Sequence, residues 1–180
     1  MSKPAMGKRD RRFAPVIRSA TEADAPALLA VYAPYVEHTA ISFETEVPSP
    51  AEFAARIAKA ATGWAWLVAE ADGECLGYAY GCRHRERAAY RWSVETSAYV
   101  AQMYHRQGVA RALYTELLTQ LTRLGYCNAY AGVTLPNEAS LALHRTLGFE
   151  PVGVFRRIGY KFGVWHDVAW FQRALREEVP

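Results

Sequence analysis

The chain has 180 residues, 51% of them hydrophobic and 22% charged, with a formal net charge of +3. That balance suits one globular domain with a sizeable core, and it excludes low-complexity, collagen-like and polyelectrolyte chains. No apolar run approaches bilayer-crossing length or forms a secretory leader, and the three cysteines (Cys75, Cys82, Cys127) lack metal-ligand spacing. The expectation is a cytoplasmic protein with reduced thiols, no metal site and no membrane contact.

Much of the excess positive charge sits in Lys3, Lys8, Arg9, Arg11 and Arg12, before any apolar periodicity begins. Residues 1–14 read as a disordered basic tail, and residues 15–175 as a single domain. A nucleic-acid arm is the alternative, but no aromatic residues interleave with these charges to make a stacking surface.

Val16 to Arg18 predict a short first strand, and Thr21-Glu22-Ala23-Asp24 a capped helix start. Leu28, Leu29, Val31 and Tyr32 give that helix its buried side until Pro34 weakens or bends it, with Tyr35 to Thr39 a transition. Ile41 to Phe43 read as a short extended piece. Ser49-Pro50 opens a second helix with Phe53, Ile57 and Ala61 in register. Trp64 to Glu70 and Leu76 to Cys82 are strands joined by a hairpin turn at Ala71-Asp72-Gly73. Arg83 to Arg91 is a charged loop.

The strongest local signal runs from Trp92 to Leu124. A strand, Trp92 to Val100, leads into the polar turn Tyr104-His105-Arg106-Gln107-Gly108 and then directly into a helix. Val109, Leu113, Leu117 and Leu121 recur every four residues, flanked by Ala110, Tyr114 and Leu118, which is the stripe of a helix with one buried face. Gly125 supplies a stop. Gly108 and Ala110 have almost no side chain, so the backbone N–H groups of Gln107 to Arg111 can approach a ligand. The first N–H groups of a helix lack internal partners, and the helix dipole adds partial positive charge. Strand, small-residue turn and helix start together make an anion site suited to a pyrophosphate. The plainer alternative is that the two small residues only permit a tight turn.

Asn128 to Val133 is a further strand, and Pro136-Asn137 begins a short helix through Leu147, closed by Gly148. Phe155-Arg156-Arg157 and Val164 to Phe171 are the last strands, joined by a turn through Gly159 to Gly163. The predicted order is β-α-α-β-β-β-α-β-α-β-β.

The turn at 105–110 resembles the [RQ]-x-x-G-x-[GA] loop with which the GNAT N-acetyltransferases bind acetyl-coenzyme A. More narrowly, Arg85 to Trp92, Val94 to Val100, Leu135 to Ser140 with Leu143-His144, Gly159-Tyr160-Lys161 and Trp165-His166-Asp167 resemble the phosphinothricin and methionine sulfoximine N-acetyltransferase group. The similarity runs from Ile17 to Arg173. His105 departs from the usual Arg or Gln; because backbone amides do most of the phosphate binding, affinity should be tuned rather than lost.

The resemblance implies an α+β GNAT fold, a central, mostly antiparallel mixed sheet of about seven strands with helices on both faces. It implies acetyl transfer from acetyl-CoA directly to the α-amine of a small amino acid, and a homodimer with the pocket near the interface. Ala98, Tyr99, Val100, His105, Arg106, Gln107, Gly108, Val109, Ala110 and Arg111 would hold the donor substrate, with Asn137 and Ser140 on its pantetheine arm. Phe43, Arg85 and Arg87 would contact the acceptor, the arginines through its acidic groups. Phe43 could equally pack in the core, and the arginines could be a solvated run.

The chemistry needs a base for an ammonium, a donor for the tetrahedral oxyanion and a proton for the departing thiolate. Glu95 lies in a weakly polar strand, where burial raises a carboxyl pKa toward a useful value. It falls on the family's catalytic glutamate; a partner role for a nearby arginine is the alternative. His144 stands seven positions after Asn137, where the wider family often has a general-acid tyrosine. An imidazole can do that work, or it can simply bond a carbonyl. Rival readings are acetylation of protein N-termini or another amine, and a catalytically silent CoA-binding sensor.

Overall fold

The computed structural model describes residues 15–178, so the tail expected at 1–14 lies outside the described residues. The elements are β1 (Val16–Ser19), α1 (Ala25–His38), α2 (Pro50–Ala60), β2 (Trp66–Ala71), β3 (Glu74–Arg83), β4 (Ser93–Val100), α3 (Val109–Arg123), β5 (Asn128–Thr134), α4 (Glu138–Thr146), β6 (Glu150–Lys161) and β7 (Val164–Ala174). Their order is the one the patterning predicts.

The strands form one seven-stranded sheet in the order β1-β2-β3-β4-β5-β7-β6. Only β4 and β5 run parallel; the other neighbours are antiparallel. Because strand side chains alternate between faces, β2 feeds two cores. Leu67 and Ala69 join Leu113, Leu117 and Leu121 of α3, while Trp66 and Val68 join Leu28, Val36, Phe53 and Ile57 of α1 and α2. The four apolar residues of the α3 stripe are at most 1% exposed.

The feature that makes a site is where pairing fails. β4 bonds β5 only over Ser93–Glu95 against Asn128–Tyr130. Beyond that rung, β4 stays on β3 as far as Val100, while β5 stays on β7 as far as Thr134. The two strands part and leave an opening in the middle of the sheet.

Four local expectations are corrected. The first helix continues through Pro34 to His38, because Tyr32, Tyr35 and Val36 are buried on both sides of the proline and hold the turn that lacks one N–H bond. Residues 41–43 form no strand: Thr39 Oγ1 accepts from Ile41 N, and Ser42 Oγ accepts from Glu44 N, so side chains take the donors a ladder would use. In α2 the third buried position is Ala60, while Ala61 is exposed. The last turn is confined to Phe162-Gly163, with φ of 52° and 78°, so Gly159 and Tyr160 remain in β6.

Candidate functional site

The start of α3 is assembled by its own loop. Gly108 caps the helix with φ of 83°, a conformation open to glycine without a Cβ penalty. The first N–H to bond back is that of Ala112, to Gly108 O at 3.0 Å. The amides of Val109, Ala110 and Arg111 therefore have no acceptor within the helix, and the dipole reinforces them. Gln107 turns away and fastens the loop, donating from Nε2 to Met103 O at 2.8 Å.

A cavity of about 620 Å³ extends from this helix start into the β4–β5 opening. Arg106, Gly108, Val109, Ala110 and Arg111 line one end. Ala98, Tyr99 and Val100 line one wall, Gly132, Val133 and Thr134 the facing wall, and Asn137, Ser140 and His144 of α4 close it. Ala101 N bonds Leu76 O on β3. By alternation, the backbone groups of Ala98 and Val100 point away from β3, into the opening that β5 has vacated. Val100 O is already taken: the Tyr35 hydroxyl donates to it, and His105 Nε2 lies 3.0 Å from it and 2.9 Å from Tyr35 Oη. His105 thus ties the end of β4 to α1.

On α4, Asn137 caps the helix, its Oδ1 accepting from Ser140 N at 3.1 Å. His144 is 4% exposed and wedged against Phe149 and Phe171. Its Nδ1 lies 2.8 Å from Ser140 O, which can only accept, so the ring proton is on Nδ1. Nε2 is left as an acceptor for the Tyr114 hydroxyl at 3.1 Å. Burial pushes the His144 pKa down, partly opposed by that carbonyl bond, and keeps the ring neutral. Burial also pushes the Tyr114 phenol up to about 12, with the Thr96 hydroxyl opposing. In the sequence Tyr114 stands among the apolar residues of the α3 stripe. Its one distinguishing signal was a hydroxyl among aliphatic neighbours.

The other mouth of the opening lies on the α1 face. Glu95 stands there on the last rung that β4 shares with β5, opposite Tyr130. It is outside the cavity lining, whereas Ser97, two residues on along the same face, is within it. Burial raises the Glu95 pKa, and a hydrogen bond from His84, then the charges of His84 and Arg85, pull it back. Arg85 and Arg87 are exposed on the loop that follows β3, outside the cavity lining, and Arg85 acts on Glu95 by charge.

Phe43 lies across Gly159 of β6, where any Cβ would sit 2.2 Å from its ring, and 6.1 Å from the His166 ring. The loop carrying it is fixed by Lys161, whose buried ammonium donates to Val36 O at 2.7 Å and Ser42 O at 2.8 Å. One lysine thus joins the end of α1, the 39–44 loop and β6. Ile41 of that loop reaches the cavity.

Among the described residues, no group of three or more His, Cys, Asp or Glu side chains comes together as a metal site, and no helix is long and apolar enough to cross a membrane.

The family model described as Acetyltransferase (GNAT) domain matches residues 17–170. The chain is 37% identical to a phosphinothricin N-acetyltransferase of Streptomyces viridochromogenes over 164 residues, 91% of this chain and 90% of the relative. It is 33% identical to an L-methionine sulfoximine/L-methionine sulfone acetyltransferase of Salmonella typhimurium, covering 91% of this chain and 96% of that one. Its fold superposes with a TM-score of 0.85 on a phosphinothricin acetyltransferase from Sinorhizobium meliloti crystallised with acetyl-CoA, at 35% identity, covering 89% of this chain and 88% of that one.

Proposed function

The chain belongs to the acetyltransferase (GNAT) domain family, and from that premise we propose that it transfers acetyl from acetyl-CoA to the α-amine of a small amino acid of the phosphinothricin or methionine sulfoximine type. The observation that carries the reading is the cavity itself. It begins at the unpartnered amides of α3, runs through the β4–β5 opening and ends beside a carboxylate whose pKa is raised by burial.

A pyrophosphate fits the amides of Val109 to Arg111, and the flanking arginines, Arg106 and Arg111, add charge. The outward backbone groups of Ala98 and the N–H of Val100 suit the amides of a pantetheine arm, with Asn137 and Ser140 on the facing side. The acetyl thioester then lies at the sheet opening. Glu95 takes the proton from the acceptor ammonium, directly or through a water, and the freed amine attacks the thioester carbonyl. An outward N–H of β4 stabilises the oxyanion. His144 holds its proton on Nδ1 and accepts at Nε2 from Tyr114, so the proton for the departing sulfur is the Tyr114 hydroxyl's, which turns from His144 Nε2 to the thiolate as the C–S bond breaks. Arg85 and Arg87 recruit the acceptor's anionic groups from the loop.

Residues 15–175 work as one domain in this reading, and the protein acts in the cytoplasm as a homodimer. Support for the dimer comes from the outer hairpin. Phe155, Ile158, Tyr160 and Trp165 on β6 and β7 are each about half exposed, and β6 is an edge strand of the sheet among the described residues. The same hairpin carries Gly159 and Lys161, so a second copy there would lie next to the acceptor loop.

The test is thiol release from acetyl-CoA with phosphinothricin, methionine sulfoximine, methionine sulfone and short peptides as acceptors. Turnover confined to the glutamate-like amino acids is expected. Turnover of peptides alone would move the function to protein N-termini, and tight acetyl-CoA binding with no turnover would make the protein a sensor.

A further inference from the structure

We infer that His84 is a positioning residue for Glu95, holding the carboxylate aimed and ionised at the rung where β4 and β5 part. The inference rests on the assignment of Glu95 as base made above.

His84 is the first residue past β3, at the start of an exposed loop, yet its side chain is only 13% exposed. Aromatic walls from β5, β7 and the far part of its own loop fix it. The imidazole stacks on Tyr130 of β5 at 4.5 Å and 9°, meets Trp170 of β7 edge-on at 6.0 Å, and meets Tyr90 of the loop at 6.2 Å. Tyr130 is the residue paired with Glu95 across the only parallel step of the sheet. Its ring therefore seats the imidazole beside that carboxylate, and Nδ1 lies 3.4 Å from Glu95 Oε2. That separation is loose for a finished hydrogen bond; contacts of this kind commonly tighten when substrate binds.

The surroundings give the contact a task. Glu95 faces Cys82 and Tyr80 on β3, Tyr130 on β5 and Arg85 in the loop. Burial acts on Glu95 in the direction of protonation, and a protonated carboxyl cannot take the acceptor's proton. The Cys82 thiol, pushed up to about 12 by burial and by the Glu95 charge, offers no compensating cation. Arg85 compensates by charge alone and from an exposed position. His84 contributes a hydrogen bond, and charge when its ring is protonated, from a side chain that packing has immobilised. It acts through Glu95, and no proton needs to pass to the imidazole.

The test is ¹³C NMR titration of the glutamate carboxyls in the full chain, with Glu95→Gln assigning the signal, compared with His84→Phe and His84→Gln. Phenylalanine keeps a flat ring for Tyr130 but removes donor and charge; glutamine keeps a donor alone. The Glu95 carboxyl should titrate at higher pH in the phenylalanine variant, with the glutamine variant between. The acid limb of kcat/KM should move equally, losing about tenfold below the limb per pH unit moved, while acetyl-CoA affinity stays unchanged. An unmoved Glu95 titration in a His84→Phe protein of wild-type melting temperature and acetyl-CoA affinity overturns the inference. If that variant does not fold, an unmoved signal in His84→Gln does the same. The premise fails separately: full activity of Glu95→Gln removes the base, whatever the carboxyl titration shows.

Discussion

The two ends of the cavity are built from different materials. At the α3 end the working groups are backbone amides, placed by a glycine at φ of 83° and a loop of fewer than a dozen residues. At the α1 end they are side chains, gathered from β3, β4, β5, β6 and the 39–44 loop. The Lys161 bond to Ser42 O spans 119 positions. A backbone site tolerates side-chain change. His105 can replace the family's Arg or Gln and turn inward to Tyr35 because the amides beside it are unaffected. A side-chain site has no such reserve, since each group is present once and is held by neighbours far away in the chain.

Substitutions at the acceptor end should therefore fall on turnover and acceptor affinity, and those at the donor end should be milder. The largest expected effect is that of Glu95→Gln, which lowers kcat by roughly 10²- to 10⁴-fold, the span of general base catalysis. Steady-state kinetics across pH decides it, and wild-type turnover at every pH would remove Glu95 from the mechanism. Tyr114→Phe, which leaves His144 Nε2 without its donor, should cost at the lower end of that span, about 10²-fold in kcat, with little change in acetyl-CoA KM. An unaltered kcat there would return the donor role to His144.

Lys161→Met tests whether the loop that carries Phe43 is held from β6. Removing a charged donor from two buried carbonyls should cost about 1.5–3 kcal/mol in stability. The acceptor KM should rise while the acetyl-CoA KM stays put; equal rises in both would break the division between the two ends. Gly108→Ala tests the backbone end. An added Cβ meets no atom within 4 Å, so the expected cost is the left-handed backbone alone, about 1–2 kcal/mol read as melting temperature and acetyl-CoA affinity.

The smallest effect concerns stability and pH. The folded pKa of Glu95 lies above its ordinary 4.5, so the folded state binds that proton more tightly than the unfolded chain. Its ionisation therefore removes stability as pH rises from about 4.5 through the folded value. Glu95→Gln should be as stable as wild type or more so near neutrality, with the difference fading in acid. Denaturant melts at two pH values measure it, and a variant less stable at neutral pH would contradict the burial argument.

The local structure at the α3 end was legible because its signals are local. The α3 stripe, the glycine before it and the Asn137 cap each fit within a few residues, and the expected element order followed from turns and periodicity. Distant contacts had no such signature. Pro34 promised a break, yet burial on both sides carries the helix past it. Tyr114 read as core because its spacing is that of core, and only the approach of α4 gives its hydroxyl a partner. His84 looked like one member of a charged loop until β5 and β7 supplied its walls.

By itself, then, the sequence determined the elements, their order, a glycine-capped helix start with free amides and a carboxylate in a weakly polar strand. Propensity, capping and hydrophobic period act over a single turn or strand and are written there. The tertiary structure alone decided where β4 and β5 separate, which hydroxyl meets His144, and what stands beside Glu95. Those outcomes depend on distances between segments far apart in the chain, and such distances exist only once both faces of the sheet have packed.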